Sequence, residues 1–234
     1  MKKLVIIPTY NEIENVKVLI PELMKLKSQF DVLFVDDSSP DGTGQYVAEI
    51  LKQNFRVNLL SRSKKEGLGK AYIAGFNWGI DKGYDTLTEM DADFSHRPVD
   101  LDAILQIMEQ PGSAAHDVVI GSRYVPGGET VNWGVIRKLI SRGGSLYSKL
   151  ILGYPTNDWT GGFNTWKTQV LKDIDLSSIQ SNGYSFQIEL KYKAQKKGYK
   201  IREYPIVFED RRVGQSKMSL KIAIEAFYKV WMIR

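Results

Sequence analysis

Short apolar runs and amphipathic stretches alternate along the first half of the chain. Residues 4–8 form a continuous apolar run, the pattern of a strand buried on both faces. Asn11, with Glu14 three residues on, has the form of a capping box that opens a helix to about residue 27. Residues 32–35 are a second strand, stopped by Asp36-Asp37. Ser39-Pro40-Asp41-Gly42 is turn chemistry, and Thr43 caps a helix to about residue 53. Strands at 56–60, 85–90 and 117–120 alternate with helices at 69–82 and 98–108. This alternation predicts an α/β fold of βαβ units, with a mostly parallel sheet flanked by helices. No internal repeat or low-complexity linker interrupts it. One domain is expected over 1–218, followed by an amphipathic helix over 219–234.

In open α/β sheets, ligands bind beyond the carboxyl ends of the strands. The polar clusters fall there: Thr9-Tyr10-Asn11-Glu12, Asp36-Asp37-Ser38, Asp91-Ala92-Asp93 and Ser122-Arg123-Tyr124.

Composition narrows the classes. The 234 residues are 43% hydrophobic and 25% charged, which is globular rather than disordered. The absence of cysteine removes disulfides, thiolate metal sites and cysteine catalysis. No window approaches the roughly 20 apolar residues that span a bilayer. Composition alone therefore points to a soluble intracellular protein, and the placement of the charge modifies that. Residues 134–153 hold Arg137, Lys138, Arg142 and Lys149 with no acid, and residues 210–234 hold six basic and two acidic residues. Two segments of +4 within a net charge of +5 leave the remainder at −3. Both segments are rich in apolar residues, and each comes with one tryptophan, Trp133 just before the first and Trp231 within the second. That is the make-up of helices lying on anionic lipid, although packing against the sheet is the alternative.

The chemistry concentrates at Asp91-Ala92-Asp93. Two carboxylates two residues apart at a strand end can share a hard cation such as Mg²⁺ or Mn²⁺; alternatively they form a solvated turn before the next helix. Asp36-Asp37 either contacts a base or ribose or shapes a turn with Ser38 and Pro40. Gly67-Leu68-Gly69-Lys70-Ala71 is not a P-loop, because residue 71 is Ala and no GK[ST] follows a strand. His96 and His116 are too few for a histidine metal site. His96 lines the site or enters the following helix. No GxSxG elbow is present. Arg211, Arg212 and Lys217 crowd a glycine-containing segment that could clamp phosphate or merely be solvated.

Taken in order, Pro8-Thr9-Tyr10-Asn11-Glu12, Val35-Asp36-Asp37-Ser38-Ser39-Pro40-Asp41-Gly42-Thr43, Gly67-Leu68-Gly69, Met90-Asp91-Ala92-Asp93-Phe94-Ser95-His96, Gly121-Ser122-Arg123-Tyr124, Asp158-Trp159-Thr160-Gly161-Gly162-Phe163, and Arg211 with Gly214, Ser216 and Lys217 resemble the dolichyl-phosphate (polyprenol-phosphate) mannosyltransferases. These are inverting enzymes of glycosyltransferase family 2 with a GT-A fold. The resemblance implies that Pro8, Tyr10, Glu12, Asp37 and Ala92 bind the GDP-mannose donor, and that Asp91 and Asp93 hold Mg²⁺ or Mn²⁺ at its diphosphate. It implies catalytic roles for Asp93, Arg123 and Arg211, with Arg123, Arg211 and Lys217 on the donor phosphates. The acceptor phosphate would meet Arg123, Arg137, Ser141, Arg142 and Lys217. Gly161 and Gly162 would admit a ligand close to the backbone. The implied setting is the cytoplasmic membrane surface, with a polyprenyl phosphate lipid as partner, peripheral attachment to the inner face and no nucleic acid. Two departures stand out. Asn164 replaces a basic residue common in relatives, and the chain lacks the C-terminal membrane spans that many of them carry.

The chemistry fits these residues. A phosphate monoester is already largely dianionic near neutral pH, its second pKa being about 6, so no strong general base is required. Glu189 is the one candidate base. Two alternatives stay open: a UDP-sugar donor such as UDP-glucose, and a non-catalytic module that binds membrane or nucleic acid.

Overall fold

The structure is a computed structural model and describes residues 1–111, 116–179, 181–210 and 228–234. Six strands run parallel: β1 (Lys3–Thr9), β2 (Asp31–Asp36), β3 (Val57–Ser61), β4 (Thr86–Glu89), β5 (Val118–Ser122) and β8 (Ile201–Pro205). A seventh, β7 (Asn164–Lys167), lies antiparallel between β4 and β5. The sheet order is β3-β2-β1-β4-β7-β5-β8. A small parallel pair joins β6 (Glu129–Val131) to β9 (Val207–Glu209). The helices are α1 (Ile13–Met24), α2 (Thr43–Leu51), α3 (Leu68–Asp81), α4 (Pro98–Met108), α5 (Val135–Leu152), α6 (Thr168–Ile174) and α7 (Gly183–Lys196).

The continuous apolar run of β1 is explained by its position in mid-sheet. Val5 and Ile7 join the core beneath α1 and α4, while Leu4 and Ile6 join the core beneath α3, α6 and α7. Side chains alternate faces along a strand, so a strand covered on both sides must be apolar throughout. α3 lies so close that a Cβ on Gly75 would sit 2.5 Å from Ile6 Cγ2.

Three expectations need correction. The capping box at Asn11 and Glu14 does not form. Asn11 takes a left-handed conformation (φ 59°), and α1 starts one residue past Glu12 with no side-chain cap from its own turn. The loop after β2 supplies the acceptors instead. Ser39 Oγ, Thr43 Oγ1 and Asp41 Oδ2 take the backbone N–H groups of Asn11, Glu12 and Ile13, each at 3.1 Å. Thr43 is likewise the first residue of α2 rather than its cap, and its own N–H and hydroxyl donate to Asp41 Oδ1. The strand-helix alternation also gave no hint of β7, whose reversed direction brings residues 158–163 to the carboxyl edge of the sheet.

α5 presents its sides in an unusual way. Ser141, Ser145 and Ser148 face inward, while Ile136 (75% exposed), Leu139 and Leu150 face outward together with Val135 and Leu146. Residues 228–233 are helical. Val230 packs with Leu152, Trp159, Ile188 and Tyr192, and Trp231 Nε1 donates to Tyr147 Oη at 2.7 Å. The remainder of the expected 219–234 helix, residues 219–227, lies outside the described residues. Among the described residues no helix is long and apolar enough to cross a membrane.

Candidate active site

Parallel register sets the site. Thr9 pairs with Asp36, Ile6 with Glu89, and Ser122 with Pro205, so β1, β2, β4, β5 and β8 all end at one edge. The reversed β7 begins at the same edge, with Asn164 opposite Ile120.

At the β1–β2 corner, Asp36 is buried and serves the scaffold. Its carboxylate accepts from Thr9 Oγ1 (2.8 Å), Ser39 Oγ (2.6 Å) and Ser39 N (3.0 Å). Asp37, the expected nucleoside contact, lies 2.9 Å from Arg62 Nη1, which is an ion pair by distance. The angle is too poor for a hydrogen bond, and both atoms are buried without one among the described residues. Burial raises the Asp37 pKa while Arg62 opposes the rise. Pro8 and Glu12 are half-buried along this corner, and Tyr10, at its rim, carries Lys65 Nζ 3.8 Å from its ring centroid.

At the end of β4, Asp93 and Ala92 are buried and Asp91 is partly exposed. Asp93 Oδ1 accepts from Ser95 N at 3.1 Å. His96 lies beneath the pair and positions it: its Nδ1 accepts the Asp91 backbone N–H at 3.0 Å, and its ring stacks on Phe163 at 4.5 Å. Burial pushes the imidazole pKa down to about 4, which keeps Nδ1 an acceptor. No group of three or more His, Asp or Glu residues placed to hold a metal ion occurs among the described residues. The protein would therefore give a metal two carboxylates and leave further positions to phosphate and water. That is a fit for Mg²⁺ or Mn²⁺ and not for zinc.

At the end of β5, Arg123 is only 5% exposed. Asp158 grips it through the Arg123 backbone N (2.9 Å), Nε and Nη2 (2.7 Å each), and Thr160 Oγ1 accepts from Nη2 at 2.9 Å. Arg123 also lies about 5–6 Å from the Tyr124, Trp133 and Phe208 rings. Two of the expected acceptor residues, Ser141 and Arg137, touch aromatic neighbours of Arg123. Ser141 Oγ accepts from Tyr124 Oη at 2.7 Å, and Arg137 stacks 3.9 Å over Trp133 while pairing with Asp210. Arg142 is exposed on α5. Arg211 and Lys217 lie outside the described residues.

Other expectations shift in role. A Cβ on Gly161 would fall 3.1 Å from the Asp158 carboxylate, so the space it leaves is already used inside the loop. Asn164 is buried and donates to Gln187 Oε1 at 2.8 Å, so this position does not reach an open acceptor site. Glu189 is occupied by Ser181 N and Lys193 and is no base for the site. Sequence reasoning missed Glu89 and Lys191, both buried. Glu89 accepts from Trp166 Nε1 (2.7 Å), Gln187 and Asn164, and burial pushes its pKa up to about 7. A carboxylate as the last residue of β4, directly before Met90-Asp91, was the available signal.

The family profile described as Glycosyl transferase family 2 matches residues 4–175. The chain is 46% identical to an undecaprenyl-phosphate mannosyltransferase of Micrococcus luteus, over 98% of this chain and 93% of that one. It is 44% identical to a polyprenol monophosphomannose synthase of Mycolicibacterium smegmatis, over 100% of this chain and 88% of that one. A mannosyltransferase of Pyrobaculum calidifontis, solved with GDP-Man and Mn²⁺, superposes with a TM-score of 0.66 at 14% identity. It covers 99% of this chain, which spans 63% of that protein's length. Glucosyl-3-phosphoglycerate synthase of Mycobacterium tuberculosis matches equally, with a TM-score of 0.66 at 15% identity, over 99% of this chain and 76% of that one. At such identities the likeness concerns the fold, which is the GT-A arrangement expected from the sequence. With a family profile over most of its length and near full-length relatives above 40% identity, the chain belongs to glycosyltransferase family 2.

Proposed function

We propose that the protein transfers mannose from GDP-mannose to a polyprenyl phosphate, as a peripheral protein on the cytoplasmic face of a membrane. One observation carries this reading: the Asp91 and Asp93 carboxylates and the β1–β2 corner lie at one sheet edge, near a helix whose apolar side faces outward. A soluble sugar nucleotide and a lipid-borne acceptor need such neighbours. The two near full-length relatives, both named for polyprenyl-phosphate mannosyl chemistry, support it.

In this reading Asp37 and Arg62 meet the base, and Pro8, Tyr10 and Glu12 line the nucleoside. Asp91 and Asp93 hold Mg²⁺ or Mn²⁺, which when bound screens the diphosphate charge that grows as the donor departs. Arg123, kept charged by Asp158, faces the phosphates, and Arg211 and Lys217 add cations. Trp133 Nε1 and Arg137 Nε are buried donors without a hydrogen-bond partner among the described residues, and an acceptor phosphate at this corner would satisfy them. The acceptor oxygen bonds to the sugar's anomeric carbon on the face opposite the leaving group. The bond to GDP breaks with its electron pair on the β-phosphate oxygen. A dianionic phosphate carries no proton that must leave first, so no base is needed, in keeping with the engagement of Glu189 elsewhere. The outward side of α5 rests at the lipid interface with Lys138 and Arg142 toward anionic headgroups.

Asp91→Ala tests the site. Transfer is expected to fall by roughly 100-fold or more, beyond the range for second-shell metal residues, with loss of the Mn²⁺ response. Full activity with unchanged metal dependence would remove Asp91 from the site.

A further inference from the structure

Lys191 is fully buried on α7, its stem among the packed residues of that helix. Its ammonium donates to three backbone carbonyls of one loop: Asp158 O at 2.9 Å, Trp159 O at 3.3 Å and Gly161 O at 2.7 Å. The loop, between α5 and β7, has neither helix nor strand to take up these carbonyls; besides the ammonium, Gly161 O accepts from Asn164 Nδ2 at 3.3 Å, and buried carbonyls without partners are costly. An ammonium has three N–H groups, and all three are used here. The same loop holds Arg123: the Asp158 carboxylate and the Thr160 hydroxyl accept every guanidinium bond described above. Asp158 also takes the Gly161 N–H at 2.9 Å, which closes the loop on itself.

We propose that Lys191 is a positioning residue for glycosyl transfer: by holding the carbonyls of residues 158–161 it fixes the loop that aims the Arg123 guanidinium. This rests on the transfer reading above. It adds a residue that acts on the site only through this loop. A guanidinium is a rigid fork, so displacement of the loop moves every bond it can offer a phosphate, and misplacement of about 1 Å can cost on the order of 100-fold in rate. The charged groups around Lys191 are Asp158, Glu89, Arg123 and Glu203. Burial pushes the lysine pKa down to about 8, against the pull of Asp158 and Glu89. Above that pH the neutral amine keeps two N–H groups for three carbonyls and the loop loosens.

Lys191→Met keeps the length of the stem and removes the charge. Its kcat for transfer to polyprenyl phosphate is expected to fall at least ~30-fold, while calorimetric affinity for GDP with Mn²⁺ falls by a clearly smaller factor, because Arg123 is one of several phosphate contacts and the nucleoside corner is untouched. The Gly161 amide should exchange faster with solvent, and amides of β1 and β2 should not. Lys191→Arg, which retains charge at all accessible pH, should restore much of kcat and abolish the decline above pH 8. A K191M variant with kcat within ~2-fold of wild type, or with nucleotide affinity and turnover lost in equal measure, overturns the proposal. If K191M does not fold, K191R decides: an alkaline decline identical to wild type overturns it. Failure of the transfer reading is distinct, since wild type would then move no sugar while Gly161 exchange still depended on Lys191.

Discussion

Arg123 and Asp158 form a buried ion pair with two side-chain contacts of 2.7 Å and a further backbone bond. Burying such a pair costs desolvation that good geometry merely offsets, yet breaking it strands a charge. Asp158→Asn is therefore expected to lose about 3–5 kcal/mol in urea unfolding. The pH dependence has a definite sign. Burial alone would raise the Asp158 pKa; the Arg123 charge, the hydrogen bonds from Arg123 and the Lys191 charge together more than reverse this and hold it below the usual carboxylate range. The stabilisation is complete above the unfolded value of about 4. It is lost as pH falls through the lower folded value, because the unfolded chain takes up the proton first. D158N should show a flatter acid limb in Tm against pH than wild type.

At the scale of elements, two helices make opposite demands. Gly75 in α3 faces Ile6 and Val35, both fully buried, at 2.5 and 3.3 Å from an added Cβ. Gly→Ala in a helix interior ordinarily gains up to about 1 kcal/mol, but overpacking a filled core costs about 1–3 kcal/mol. The overlap wins, and Gly75→Ala should lower Tm. On α5 the exposed residues Ile136, Leu139 and Leu150 touch no core. Replacing all three with Ser should leave Tm unchanged and cut binding to anionic vesicles more than ~100-fold, since each buried aliphatic is worth roughly 1.5–3 kcal/mol. Vesicle binding that survives this triple change would remove α5 from the lipid interface. The five early strands and the helix at 98–108 were legible because period and apolar runs are local signals. β7 was not, because its four residues Asn164–Lys167 carry no period and their pairing with β4 and β5 is long-range. The cap of α1 was misread because its acceptors come from Ser39, Asp41 and Thr43, some 30 residues on. The inward serines of α5 were hidden too: composition shows that a helix is amphipathic and not which side it turns to the protein.

Across the whole molecule, charge and chemistry are divided. The −3 remainder carries the carboxylates Asp37, Asp91 and Asp93, while a +4 segment coincides with α5. The candidate site was legible where motifs sit at strand ends, as with Asp91-Ala92-Asp93. It was not legible where buried partners lie far apart in sequence: Arg123 with Asp158, and Lys191 with the 158–161 loop. The central claim is a sugar transfer with a defined donor and a lipid acceptor, and a panel of nucleotide sugars tests it most directly. GDP-mannose, UDP-glucose and UDP-GlcNAc would each be incubated with a short polyprenyl phosphate and Mn²⁺ or Mg²⁺, and the lipid product quantified. Mannosyl polyprenyl phosphate is expected from GDP-mannose, abolished by EDTA, with kcat/KM at least ~100-fold above either UDP-sugar, as where buried polar groups such as Asp37 and Arg62 read the base. A larger kcat/KM with a UDP-sugar, or no lipid-linked sugar from any donor, would contradict it.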